Sequence, residues 1–146
     1  MAGERDLLFR DFTTAQRQAF LSLGVAQVHP VQSVLLEETT TGSEMLFIDE
    51  GAVSVWVKNV KINELGPNSV VGVSALIEPH PRTARLVAET EVQTRRFGRS
   101  RVLQHLEQVS PALFHRFFVN AFEIHMNLIH QCEERIVALS RQLGGD

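Results

Sequence analysis

Residues 25 to 97 consist of short apolar runs separated by turn residues, and this pattern constrains the fold more than any other feature. Val53, Val55 and Val57 recur at every second position, which is the signature of a half-buried strand. The stretch Gly66-Pro67-Asn68 interrupts the apolar runs with residues that favour turns. Short strands between turns predict an antiparallel sandwich or barrel.

The segment that precedes the strands has a helical pattern. The chain is predicted to be helical from Asp6 to about Leu23, and Asp11 or Thr13 can cap the helix. Gly24 is expected to end it. We expect this helix to cover one edge of the core.

Helical periodicity returns after the strands and continues to about Leu139. Ser100 can cap a short helix that runs through Leu106, and Ser110-Pro111 is a strong start for a longer helix. Between residues 114 and 139 the apolar side chains fall on one face that is about 160° wide, whereas burial against a single neighbour needs about 100°.

The surplus width of this face indicates that the long helix makes two contacts, one with its own core and one with another subunit. We therefore predict a homodimer; the alternative is a helix buried deeply in its own domain. The residues of the predicted dimer interface are Phe114, Phe118, Phe122, His125, Ile129, Cys132 and Ile136.

The length of the chain predicts one domain. Its 146 residues fall in the usual size range of a single domain. We expect this domain to span residues 1–146, with an N-terminal helical part (5–24), a strand region (25–98) and C-terminal helices (100–142).

Composition excludes several classes of protein. The 14 Lys and Arg residues against 17 Asp and Glu residues give a net charge of −3, unlike the basic surface of a nucleic-acid-binding domain. No uncharged apolar run reaches the roughly 18 residues that span a bilayer, and the N-terminus does not resemble a secretion signal. We therefore expect a soluble cytoplasmic protein that contacts no membrane.

Catalytic and metal-binding patterns are not convincing in this sequence. The single cysteine, Cys132, lies on the apolar face of the long helix, where an inert core thiol is expected. His125 and His130 are five residues apart, about 140° around a helix, which makes a poor chelate. A metal held between subunits by His125 and Cys132 is the remaining alternative. We predict a protein that is not an enzyme and requires no metal or cofactor.

The stretch from Gly66 to Ala88 carries the clearest chemical signal. Gly72 allows the backbone to pass close to another group, and the next four residues can form one helical turn with free N–H groups. A loop then delivers Arg82 and Thr83, an arginine suited to phosphate recognition and a hydroxyl donor. Together these groups predict a phosphate cradle.

This stretch resembles the phosphate-binding cassette of cyclic-nucleotide-binding domains. The matching residues are Gly72-Val73-Ser74-Ala75-Leu76, followed by Pro81-Arg82-Thr83-Ala84. The upstream runs Val34-Leu35-Leu36 and Met45-Leu46-Phe47-Ile48, with Gly51 and Val53, are similar to the same family. The order of the elements agrees too, because a helix comes first, then the strands, then a long helix.

The resemblance implies a mainly β fold with flanking helices, an eight-stranded antiparallel jelly roll that holds cyclic AMP or cyclic GMP. It also implies that Arg82 pairs with the cyclic phosphate and that Thr83 lies beside the phosphate or the base. The ligand-binding residues that it implies are Gly72, Val73, Ser74, Ala75, Arg82 and Thr83. The C-terminal helix resembles the dimer helix of the catabolite-activator class of bacterial regulators.

Three departures from the family pattern leave the function open. Val73 replaces the usual glutamate, which accepts a hydrogen bond from the ribose 2′-hydroxyl. Losing this hydrogen bond costs about 1.5–3 kcal/mol of binding free energy, or one to two decades of affinity. The loop at Thr39 to Thr41 lacks an expected glycine, and nothing after Leu139 can form a helix-turn-helix. We expect a stand-alone sensor that relays ligand occupancy to a partner protein without binding DNA itself. The alternative is a ligand-free dimerisation or protein-interaction module.

Overall fold

The computed structural model of the protein describes residues 3–144. Within this range five helices accompany ten strands. The helices are α1 (Glu4–Leu8), α2 (Thr14–Leu21), α3 (Val73–Ile77), α4 (Arg99–Val109) and α5 (Pro111–Leu143). The strands are β1 (Val25–His29), β2 (Val34–Leu36), β3 (Thr41–Gly42), β4 (Glu44–Glu50), β5 (Val53–Val57), β6 (Val60–Leu65), β7 (Val70–Val71), β8 (His80–Pro81), β9 (Arg85–Ala88) and β10 (Val92–Gly98).

The strands form two four-stranded antiparallel sheets and one small pair. The first sheet has the order β1-β10-β4-β7, and the second has the order β2-β9-β5-β6. Strands β3 and β8, of two residues each, pair separately. The predicted mainly β jelly roll with flanking helices is confirmed, although the structure has ten strands where we expected eight.

A tight turn joins β5 to β6. Lys58 and Asn59 both have positive φ angles, 49° and 64°, as in the two-residue turns that match the twist of a hairpin. These two left-handed residues are enough to reverse the chain, and Val60 already pairs with Val57.

Strand β4 of the first sheet is buried on both faces. Met45 and Phe47 of β4 pack against the helices, together with Phe97 of β10. Ile48 of β4 belongs instead to a second apolar cluster, with Val53 and other residues of the second sheet. Strand β4 therefore lies at the centre of the molecule, between the helices and the second sheet.

The N-terminal region contains two helices instead of the single helix that we expected. Helix α1 ends at Leu8, and Asp11 adopts a left-handed conformation with φ 67° that a continuous helix does not allow. Thr13 then caps α2, as predicted, by accepting a hydrogen bond from the Gln16 amide at 3.1 Å. The helix ends at Leu21, before Gly24.

The C-terminal helices begin close to the predicted positions. Gly98, and not Ser100, is the N-cap residue of α4. Ser110 caps α5 as predicted, because its hydroxyl accepts a hydrogen bond from the Leu113 amide at 3.0 Å. Buried Asn120 fixes α5 to the N-terminal region, since its Nδ2 donates to the carbonyl oxygens of Leu8 and Arg10, each at 2.9 Å.

Helix α5 changes its surroundings half-way along its length. Phe117, Ala121 and Ile124 are buried in the core. From Asn127 to Gly144 every residue is exposed. None of the helices within residues 3–144 combines the length and the apolar character needed to cross a membrane.

Candidate functional site

The predicted phosphate cassette begins at a glycine that the structure requires. Gly72 precedes α3 with φ 81°, a left-handed conformation that glycine adopts without strain. A Cβ atom at this position would lie 2.5 Å from Arg82 Nη1 and 2.8 Å from the Glu44 carbonyl oxygen. The backbone at Gly72 therefore passes directly against the Arg82 guanidinium.

Arg82 is held in place from several sides. Its side chain is almost buried, with 9% of its surface exposed, and Nη2 donates to the Glu44 carbonyl oxygen at 2.8 Å. A Cβ atom at Gly42 would overlap the guanidinium, so the group lies between two glycines, Gly42 and Gly72. Burial lowers the pKa of Arg82, and the Glu44 carboxylate opposes this shift. Arginine nevertheless stays charged at neutral pH.

The backbone of Arg82 pairs with the loop that follows β2. The Arg82 amide donates to the Thr40 carbonyl oxygen, and the Thr39 amide donates to the Arg82 carbonyl oxygen, both at 2.8 Å. Thr39 has a φ angle of 69°, so the loop contains a left-handed residue even though the expected glycine is absent. The threonine loop therefore still supports the segment that carries the arginine.

A cavity of about 540 Å³ lies beside the Arg82 guanidinium. Four side chains form its polar end, and apolar side chains of the sheet strands and α5 form its walls. The polar end comprises Ser74, His80, Arg82 and Thr83. Its size falls within the range of about 300–1,000 Å³ that is typical of small-molecule sites.

Ser74 and His80 form a hydrogen-bonded pair at the polar end of the cavity. Ser74 Oγ lies 2.9 Å from His80 Nε2, and His80 Nδ1 lies 2.8 Å from the Pro81 carbonyl oxygen. A carbonyl oxygen only accepts, so Nδ1 carries a proton. In the neutral imidazole, Nε2 is therefore the acceptor and the Ser74 hydroxyl donates to it. Our sequence reasoning did not select His80 for the site.

Two of the six predicted cassette residues do not line the cavity. Val73 and Ala75 are buried, with exposed fractions of 5% and 0%, and Val73 packs in the core cluster beside the helices. Helix α3 turns both side chains inward, so any contact of these two residues with a ligand would come from their backbone N–H groups, and their assignment to the cradle stays a prediction. Gly72, Ser74 and the other two predicted residues do line it.

Helix α5 forms the wall of the cavity opposite the cassette. Of the residues that we assigned to a dimer interface, His125, Ile129, Cys132 and Ile136 line this cavity. The other three do not: Phe114 and Phe118 pack partly against the core, and Phe122 is 60% exposed. Leu128 and Glu133 also line the cavity, although the sequence did not single them out.

Residues 3–144 bring together no group of three or more histidine, cysteine, aspartate or glutamate side chains that could hold a metal ion. Cys132 is exposed in this chain, so the expectation that it lies in the core is wrong. The reason is that the second half of α5 borders the open cavity instead of packing closely against the sheet strands.

Comparison with known proteins identifies the class to which this fold and cassette belong. The family model described as cyclic nucleotide-binding domain matches residues 27–109. The chain therefore belongs to the cyclic-nucleotide-binding domain family, whose members are typically regulatory and not catalytic. Among curated protein sequences, none matches this chain.

Several solved structures share the fold. A cyclic nucleotide-binding domain from Methylobacillus flagellatus is 20% identical, with a TM-score of 0.81 over 94% of this chain and 86% of that one. The catabolite activator protein of Thermus thermophilus is 16% identical, with a TM-score of 0.79 over 92% of this chain and 63% of that one. A cyclic nucleotide-binding-like protein from Brucella abortus is 26% identical, with a TM-score of 0.64 over 68% of this chain and 90% of that one.

Proposed function

We propose that this protein is a non-catalytic cytoplasmic sensor that binds a cyclic nucleotide, cyclic AMP or cyclic GMP, or a related phosphate ligand beside Arg82. The observation that carries the proposal is a nearly buried cation without an ionic partner. Within residues 3–144 no salt bridge involves Arg82, and the neighbouring Glu44 carboxylate pairs with Arg96 at 2.9 Å instead. A desolvated charge is costly unless it is paired, so the site favours an anion.

The position of α5 beside the cavity supports the proposal that the helix transmits the presence of a bound ligand. Ile129 and Ile136 of this helix line the same cavity as Arg82, so a ligand there touches the cassette and the helix together. Ligand contacts with α5 favour one position of the helix over others, which is a population shift. The cavity thus couples binding to the part of the molecule that extends away from the core.

The exposed side chains of α5 support a homodimer. One flank of the helix is buried in its own core, while Phe122, Ile129 and Ile136 on the other flank are exposed. We propose that a second copy covers this flank and that the dimer presents a surface to a regulated protein. The chain itself is not proposed to bind DNA, metal or membrane.

Isothermal titration calorimetry with cyclic AMP and cyclic GMP tests the sensor proposal. We expect saturable binding to the unmodified protein and its loss in Arg82→Ala. Arg99→Ala is a matched control, because Arg99 also donates to a backbone carbonyl oxygen, that of Ile77 at 3.2 Å, but does not line the cavity. An absence of heat with either nucleotide at millimolar concentration would refute the proposal for these ligands.

The second candidate function is a ligand-free dimerisation or protein-interaction module, and Val73 favours it. This residue replaces the family's glutamate and packs in the core, so the cassette offers no carboxylate to a ribose hydroxyl. The module hypothesis predicts a stable dimer that binds no phosphate compound. Introducing the glutamate does not test it, because Val73→Glu places a carboxylate in an apolar core and should destabilise the fold.

A further inference from the structure

The cavity beside Arg82 is lined mostly by apolar side chains. Three apolar side chains of the sheet strands and three of α5 face it over most of its length. These residues are Leu36, Val71 and Leu86 on the strands, and Leu128, Ile129 and Ile136 on the helix. The hydrogen-bonding side chains cluster instead around the guanidinium, where Ser74 and His80 already bond to each other.

These walls do not suit the polar groups of a nucleoside. A buried hydroxyl or amide that loses water without gaining a partner costs free energy. Val73 turns into the core and offers nothing to a ribose. His125 and Glu133 are the polar residues of α5 at the cavity, and both are exposed to solvent. The described lining therefore offers few partners to a sugar or a base edge.

The two ends together define a ligand class. On the basis of the proposed function, we infer that the ligand of this site is an amphiphilic phosphate, with its head at Arg82 and an unbranched apolar chain between the sheet strands and α5. The head is a single phosphate group that accepts hydrogen bonds from the guanidinium. The apolar chain of the ligand replaces water along the apolar walls, which are the larger part of the cavity lining.

Chain length gives the sharpest test of this inference. Each buried methylene should raise affinity about fourfold, so two added methylenes should raise it about fifteenfold. We would titrate the protein with inorganic phosphate, hexyl phosphate, octyl phosphate and cyclic AMP, keeping the alkyl phosphates below their micelle concentrations. We expect octyl phosphate to bind about fifteen times more tightly than hexyl phosphate and more tightly than cyclic AMP.

Two variants of α5 distinguish the effect of a substitution at the cavity from the effect of a substitution elsewhere on the helix. Leu128 lines the cavity, and Val137 lies nine residues further along, about 180° around the helix, and does not line it. Both side chains are exposed, by 40% and 48%, so a glutamate at either position should leave the fold intact. Leu128→Glu should weaken octyl phosphate binding more than tenfold, and Val137→Glu should not.

The outcomes distinguish this inference from the proposed function. Chain-length-dependent binding that is lost in both Arg82→Ala and the charge-conserving Arg82→Lys supports it, because lysine cannot reproduce the two-point contact of the guanidinium. Equal affinities for the two alkyl phosphates, or binding that survives Arg82→Ala, overturn it. Arg82-dependent binding of cyclic AMP that is tighter than that of octyl phosphate also overturns it but leaves the proposed function standing. No binding of any of the four compounds overturns both.

Discussion

Replacing Gly42 by alanine should displace the Arg82 guanidinium without straining the backbone. A Cβ atom at Gly42 would overlap Arg82 Nε, Cζ and Nη2, all at the flexible end of a side chain. The φ angle of Gly42 is not positive, so alanine can adopt its backbone conformation. The guanidinium must therefore leave its place between the two glycines, and its hydrogen bond to Glu44 is lost.

The size of the effect follows from that hydrogen bond. A bond to a charged group contributes about 1.5–3 kcal/mol, whereas a Gly-to-Ala change at a compatible position stabilises by about 0.4–1 kcal/mol. The net loss is roughly 1–2 kcal/mol, or about 2–8 °C in Tm for a domain of this length. Binding of a phosphate ligand should weaken at the same time, because Arg82 no longer lies beside the cavity.

Gly66→Ala is the matched control for this prediction. A Cβ atom at Gly66 would have no neighbour within 4 Å, so this variant should be as stable as the unmodified protein or slightly more so. Thermal unfolding of the three proteins at one fixed concentration measures the difference, since self-association would make Tm depend on concentration. If Gly42→Ala and Gly66→Ala unfold at the same temperature, Arg82 is not held as the structure describes.

Three further predictions concern the long helix and the sheet. Asn120→Ala removes three hydrogen bonds from a buried side chain and should cost about 2–4 kcal/mol in urea unfolding, while Asn127→Ala on the exposed half of the helix should cost less than about 0.5 kcal/mol. Phe122→Glu, at a side chain that is 60% exposed, should halve the mass measured by sedimentation and leave Tm unchanged in the dilute, dissociated protein; an unchanged mass would contradict the proposed dimer face. Burial, together with the Arg96 guanidinium, lowers the pKa of His29 in the folded state. Unfolding therefore takes up a proton, so stability should decline as the pH falls below about 6.5, and the urea midpoint of His29→Gln should fall less between pH 7.5 and pH 5. Equal declines in the two proteins would show that His29 is not responsible.

The strands and the long helix could be predicted because their signals are local. The alternation of Val53, Val55 and Val57 identifies β5, and Ser110 identifies the start of α5. The break between α1 and α2 could not be predicted in this way. It depends on Asp11 adopting a left-handed conformation, while Leu8 on one side of it is buried in the core.

The candidate site was only partly predictable for a similar reason. The cassette pattern identified Gly72 and Arg82, which lie ten positions apart and meet beside the cavity. Gly42 and His80 reach the site through the pairing of β3 with β8, a contact between distant parts of the chain that no local pattern reports. The inward orientation of Val73 was not predictable either, because α3 has only five residues and too little periodicity to define a face.

The apolar pattern of α5 predicted one flank buried in the core and one flank outside it, but not how burial changes along the helix. The flank that includes Phe117 and Ile124 is buried, and the flank that includes Phe122 and Ile136 is exposed, as the surplus width suggested. The sequence did not indicate that the exposed flank of the second half would also form one wall of a cavity. That placement depends on where the sheets end, and only the assembled fold fixes it.

Because α5 continues well beyond its last buried residue, a small rotation of the helix at the core produces a large movement at its end. Ile124 is the last buried residue of the helix, and Leu143 lies 19 residues further on, a distance of about 28 Å at 1.5 Å per residue. A tilt of about 10° around Ile124 would move Leu143 sideways by about 5 Å. A displacement too small to disturb the packing beside Ile124 thus becomes a sideways shift of the helix end, where a second protein could detect it.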